Sequence, residues 1–301
     1  AADVKEAEAP LNASTATAVE GPPSSEAHAR RKLRVPSTRL QRVVGFGELT
    51  ASLAWGAASD SMTKVLWGRG EETPLEEGRV KPLLDYSAFL TDKNAERLAV
   101  GLCRMRGAAL KLGQLLSIQD EAVIPPQVAA ALERVRAGAD IMPEHQLYEV
   151  MTSELGPQWR DRVAVFEDEP LAAASIGQVH KATLHDGRQV VMKIQYPGVA
   201  DSINSDVDNL MRLVSMIAVL PSGLYVEDAV KVAKAELADE CDYIMEQKSQ
   251  ERYRSLLGDH PAFRVPSTVP ELCSKGILTS DLMPGVHIDQ VAHMDQATRD
   301  R

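Results

Sequence analysis

Apolar positions change their spacing twice along the chain. From Asn94, the residues Leu98, Leu102, Met105, Ala109, Leu112 and Leu116 recur at intervals of 4, 3, 4, 3 and 4, which predicts one helix with a single buried stripe. Pro125-Pro126 ends that region, and Val128, Leu132 and Val135 mark a second helix. Pro143 opens a third, with Leu147, Met151 and Leu155 on one face and Gly156-Pro157 as its stop. After Arg162 the segments VAVF, IGQVHKATL and RQVVMKIQ are rich in β-branched residues, and an HDG turn between the last two predicts a hairpin. Helical spacing then returns over Val199–Leu220 and over about Val226–Leu257, before two further strands, FRVPSTV and GILTSDL. Helices followed by a strand-rich unit with its own long helices predict an α+β lobe bearing an N-terminal helical extension.

The first residues differ from all of this. Residues 1–28 are Ala, Glu, Ser, Thr and Pro with almost no large apolar side chain, too little to offset the entropy of ordering. A basic cluster follows (Arg30, Arg31, Lys32, Arg34, Arg39, Arg42), and then the apolar stretch Val43–Ala58. A spanning helix needs about 20 mainly apolar residues; this stretch is shorter and contains Glu48. It reads either as a span or as an amphipathic, interfacial helix with Trp55 and Trp67 at the lipid boundary. Residues 68–84 are a Gly/Pro/Glu linker. The expected division is 1–42 disordered or targeting, 43–67 membrane-associated, 68–93 linker, 94–160 helical extension, 161–286 lobe, and 287–301 the start of a further lobe. A first residue Ala1 and a last residue inside a starting helix suggest a piece of a longer protein.

Composition narrows the function classes. With 301 residues and a net charge of −10, the chain has room for a substantial core and no domain-wide basic field to neutralise nucleic-acid phosphates. Its three cysteines, Cys103, Cys241 and Cys273, form no C-x-x-C, and the histidines form no H-E-x-x-H, so neither a disulfide framework nor a metal site is expected.

Four segments carry candidate chemistry. In VVMK, Val191 and Lys193 point to one side of a strand while Met192 and Ile194 point to the other, which fits the V-A-I-K pattern of a phosphate-binding lysine as well as an ordinary strand lysine. The loop before that hairpin reads Ala172-Ala173-Ala174-Ser175, where glycine is the usual choice for close approach of backbone N–H groups to phosphate. Alanine there stiffens the loop, or simply packs as a strand entry. Such a lysine needs a carboxylate from a helix; Glu236 and Glu240, four apart, both qualify by spacing, as members of a face that also suits solvent. Finally Arg104, Gly107, Lys111 and Gln114 form a narrow polar stripe beside the apolar one, and Gly107 and Gly113 suggest close packing against another element.

Together these segments resemble the UbiB/aarF-domain-containing (ADCK) atypical kinase family, in particular its mitochondrial coenzyme Q biosynthesis type, over about residues 31–286. KLGQ (Lys111–Gln114) matches the K-x-G-Q motif, AAAS the Ala-rich loop, VVMK the lysine strand and ECD (Glu240–Asp242) the E-x-D motif, all in the family's order. The resemblance implies a protein-kinase-like N-lobe preceded by the K-x-G-Q extension, with the C-lobe largely missing from this chain. It implies that Lys193 holds nucleotide phosphates with Glu240 as its ion-pair partner, and that Ala172, Ala173, Ala174 and Ser175 cover the phosphates. Adenine would dock near Asp281 and Met283, while Lys111, Gln114 and Asp242 belong to a regulatory extension. ATP or ADP with Mg²⁺ is the implied cofactor, its metal ligands expected beyond Arg301, because no D-F-G and no catalytic-loop Asp with its Asn occur here. The implied function is an atypical kinase or ATPase supporting ubiquinone biosynthesis on the matrix side of the mitochondrial inner membrane. The implied partners are lipid, other biosynthetic proteins and a possible second copy; the chain as given would be inert. The alternative is a pseudokinase-like scaffold for a lipid-biosynthetic complex.

Overall fold

The computed structural model describes residues 32, 34–66, 91–107, 111, 141–217, 226–286 and 288–300. Among these, residues 32 to 282 and those from 283 onward fall in different compact units, and the sheet lies in the first.

The predicted hairpin is the centre of the sheet. β3 (Gly177–Thr183) and β4 (Gln189–Gln195) pair antiparallel in full register, from Gly177 opposite Gln195 to Thr183 opposite Gln189. Gly187, at φ 85, makes the HDG turn possible. The short strands β1 (Val165–Phe166) and β2 (Ala172–Ala173) both pair with the outer edge of β3, and β5 (Ile277–Asp281) pairs with β4. The expected FRVPSTV strand does not form: the segment makes a single bridge, Thr268 to Ser280. Pro266 has no N–H to give a ladder, and its carbonyl instead accepts from the Gln250 side chain.

Strand alternation sorts the two faces as expected. Val190, Met192, Ile194, Ile277 and Thr279 are fully buried, whereas Val191 and Lys193 are half-buried on the opposite face. The buried face also takes Gln178 and His180. Met142 N–H donates to Gln178 Oε1, Gln178 Nε2 donates to His180 Nε2, and His180 Nδ1–H then donates to the Glu167 carbonyl, so the chain of bonds defines the tautomer.

Around the sheet lie α1 (Arg39–Leu66), α2 (Asp92–Met105), α3 (Glu144–Leu155), α4 (Val199–Ile217), α5 (Val226–Glu240) and α6 (Tyr243–Leu257). The other unit contains the short helices α7 (Ile288–Val291) and α8 (Gln296–Arg299). α3 follows the reading closely, with Pro143 at its start, Leu147, Met151 and Leu155 buried, and Gly156 at φ 89 closing it. The second predicted helix, at Val128–Val135, lies outside the described residues.

Two helices depart from expectation. The stripe from Leu98 was to continue past Met105, but α2 ends there: Arg106 and Gly107 both take positive φ, 56 and 63. The long helix over 226–257 is two helices, broken at Cys241-Asp242, where Asp242 caps α6 by accepting from the N–H groups of Ile244 and Met245. The apolar stretch 43–58 is the core of α1, whose Phe46, Leu49, Leu53 and Ala57 are buried within the fold. No helix among the described residues is long and apolar enough to cross a membrane.

Candidate functional site

The sheet face opposite the core carries a row of side chains. Ala172 pairs with Val179, Val179 with Lys193, and Lys193 with Leu278, so the first alanine of the loop and the lysine of VVMK share one face across neighbouring strands. The Ala-rich segment is therefore half strand and half turn. Ala172 and Ala173 pair with β3, and Ala174 closes the tip by donating its N–H to the Gly177 carbonyl at 2.7 Å. Close packing at this tip needs glycine: a Cβ at Gly177 would collide with the Ile194 carbonyl oxygen at 2.4 Å.

Lys193 is held by α6. Its Nζ donates to both carboxylate oxygens of Glu246, at 2.9 and 2.8 Å, and lies 4.5 Å from the centroid of the Tyr243 ring. The expected partner, Glu240, is engaged elsewhere: its Oε1 accepts from Lys111 Nζ at 2.9 Å. The physical reason is the helix break. With Asp242 as a cap, α6 starts afresh at Tyr243, and Glu246 in its first turn reaches the β4 lysine, while Glu240 ends α5 facing the extension. Asp242 makes cap bonds to its own helix rather than lying on a helical face.

This junction is anchored to the sheet. Gln195 Nε2, at the end of β4, donates to the carbonyls of Cys241 (2.7 Å) and Lys275 (3.1 Å), and Tyr243 N–H donates to that same Lys275 carbonyl. Burial, reinforced by the Glu240 charge and opposed by Lys193, pushes the Cys241 thiol up to about 11, so it is an inert packing group. Burial also raises the Tyr243 phenol, with Glu246 adding to the effect. The result is two parallel lysine–glutamate pairs flanking one helix break, each side chain about a quarter to two-fifths exposed.

Gln114 lies outside the described residues. Asp281 ends β5 opposite Val190, 3.6 Å from the Arg188 guanidinium. Met283 follows in the other compact unit, with its side chain exposed. Among the described residues no group of three or more His, Cys, Asp or Glu could hold a metal ion. The residue that sequence reasoning missed is Glu246. The signal for it was present: Asp before a new apolar run is a helix N-cap, and a cap at Asp242 would have split the helix.

Comparison with known proteins agrees with this architecture. The model of the ABC1 atypical kinase-like domain matches residues 134–301. A zebrafish (Danio rerio) protein described as "Atypical kinase COQ8B, mitochondrial" is 45% identical over 269 residues, covering 89% of this chain and 42% of that protein. The rat (Rattus norvegicus) protein of the same description is 45% identical over 271 residues, covering 90% and 49%. The Saccharomyces cerevisiae protein "Atypical kinase COQ8, mitochondrial" is 39% identical over 265 residues, covering 88% and 50%. The chain thus spans half or less of the length of these curated relatives. The α+β sheet with its lysine strand and the family-model match lead to one conclusion: the chain belongs to the ABC1 atypical kinase-like family.

Proposed function

We propose that this chain carries the nucleotide-phosphate cradle of an atypical kinase or ATPase that supports ubiquinone biosynthesis at the matrix face of the mitochondrial inner membrane. The observation that carries the reading is the Lys193–Glu246 pair. A strand lysine gripped through both oxygens of a helix carboxylate is pre-oriented for phosphate and kept from swinging into solvent.

The donor chemistry fits a nucleotide. Lys193 Nζ would neutralise α- and β-phosphate charge, and Ala172–Ser175 would present backbone above them on the same sheet face. Asp281, at the end of β5, is on the proposed adenine side, with Met283 following it in sequence. The bound nucleotide would supply the transferable phosphoryl group, and Mg²⁺ bound with it would neutralise phosphate charge. Lys111 and Glu240, with Gln114 and Asp242, are proposed as the regulatory seam by which the extension is tied to the lobe. The exposed Leu40, Val43, Val44 and Trp55 of α1 support membrane association at the interface rather than across it.

The test is complementation. In cells lacking their mitochondrial relative, the full-length protein should restore ubiquinone content, and Lys193→Met should fail at equal protein level. Restoration by Lys193→Met equal to wild type would overturn the nucleotide reading in favour of the scaffold.

A further inference from the structure

The turn that ends α2 does something the apolar stripe does not require. Arg106, at φ 56 and ψ −174, sits in a region that residues with a Cβ rarely enter, yet its side chain is almost fully buried. Gly107 follows at φ 63. Had α2 continued, the Gly107 N–H would have bonded to the carbonyl four residues back. The kink frees it to donate to the Ser175 carbonyl, at 3.0 Å, which is the last residue of the Ala-rich loop.

The next carbonyl of that loop is held too. Ile176 accepts from Tyr196 N–H at 2.9 Å, and the two donor residues are bridged by one side chain: Arg106 Nη1 donates to Tyr196 Oη at 3.1 Å, with its guanidinium carbon 5.0 Å from the Tyr196 ring centroid. Behind the turn, Arg42 of α1 donates to the Met105 carbonyl at 3.3 Å and to Asp206 of α4 at 2.6 Å, and Ser202 donates to the same carboxylate oxygen. Gly107 suits the turn on two counts: its φ is positive, and a Cβ would stand 3.0 Å from Val199 Cγ2, which would have to shift.

We propose that Arg106 is a positioning residue for the Ala-rich loop, joining the Gly107 and Tyr196 amides into a clamp on the Ser175 and Ile176 carbonyls, so that the α1–α2 extension sets how the loop meets phosphate. The clamp itself stands on the contacts above; its consequence for phosphate rests on the nucleotide reading. Strain at Arg106 is what the clamp requires, since an unstrained, helical Arg106 withdraws the Gly107 N–H from Ser175.

The test uses the full-length protein with Tyr196→Phe, Arg106→Met and the two combined. Tyr196→Phe keeps the ring and the backbone donor, so it remains informative where Arg106→Met fails to fold. Amide hydrogen exchange is followed over residues 172–177 and over a reference helix, α3, together with ATP and adenosine affinities. The clamp predicts exchange about tenfold faster in the loop and unchanged in α3. It also predicts a double variant no faster than the singles, because both break one linkage. ATP affinity should fall about tenfold with adenosine affinity unchanged. Loop exchange equal to wild type in folded Tyr196→Phe, or acceleration shared equally by α3, overturns the clamp. Faster loop exchange with ATP affinity unchanged refutes its link to phosphate. A wild type that binds no ATP sinks the nucleotide reading and leaves the clamp to be judged by exchange.

Discussion

Lys193 and Lys111 each hold one glutamate, and the two carboxylates should have separable roles. Glu246→Gln removes the charge that orients Lys193 and should weaken ATP binding about tenfold or more, the scale of a charge-assisted bond. Glu240→Gln leaves that bond intact and releases Lys111, so it should disturb the extension first, read as faster amide exchange around residue 111 with ATP affinity less changed. Equal ATP losses in both variants would contradict the assignment. In the loop, Ala174 closes the hairpin tip while Ala173 is already paired in β2. Ala174→Gly should therefore alter the ATP-to-ADP affinity ratio more than Ala173→Gly, and unchanged ratios in both would remove any role for the alanine stiffness. His180 gives a pH prediction. Burial holds its imidazole neutral, with a pKa below the usual histidine value, against the opposing pull of the Glu167 carbonyl and of Asp168 and Glu169. The unfolded chain takes up that proton near about pH 6.5, so this contribution to stability is complete above that pH and is lost as pH falls through it. Urea midpoints at pH 7.5 and 5.5 should differ more for wild type than for His180→Gln. At this scale the alternation around Lys193 was legible because strand period two leaves no freedom. The partner of Lys193 was missed because helical spacing alone carries no record of where a helix stops; the record lay in Asp242 as an N-cap.

The same limit governs the elements. An apolar stripe at intervals of 3 and 4 keeps its phase across a local break, so the stop after Met105 and the break at Cys241-Asp242 were invisible in periodicity. Both breaks are made by tertiary partners: Ser175 and Tyr196 at the first, Gln195 and Lys275 at the second. The helix α3 and the central hairpin were read correctly because their ends are written in Pro143, Gly156 and Gly187. Between elements, the tie with the largest expected cost of disruption is Arg42–Asp206, which joins α1 to α4 with both side chains essentially without solvent exposure. Burial pushes the Asp206 carboxyl up and Arg42 pulls it back down, so the pair survives only as a pair. Asp206→Ala should cost about 3–5 kcal/mol in chemical denaturation, since it strands a buried guanidinium. Replacing both, as Arg42→Met with Asp206→Leu, should recover most of that loss, and a double variant as unstable as the single would show that the helix pairing depends on charge itself.

For the molecule as a whole, the α+β character and the sheet built on the VVMK hairpin were legible, because the change from helical to alternating spacing after Arg162 is a change of architecture. The apolar stretch of α1 was the ambiguous part. Its length and Glu48 left a span open; in the fold Phe46, Leu49, Leu53 and Ala57 pack against protein while Val43, Val44 and Trp55 stay exposed. In a chain of net charge −10, the proposed function asks one lysine beside the helix break, Lys193, already paired with Glu246, to meet a phosphate. Direct titration of the full-length protein with ATP, for wild type and Lys193→Met, tests that most simply. The account predicts saturable binding by wild type and at least tenfold weaker binding by Lys193→Met, with the two circular dichroism spectra superimposable. Equal affinities in the two folded proteins, or no binding by wild type, would contradict it.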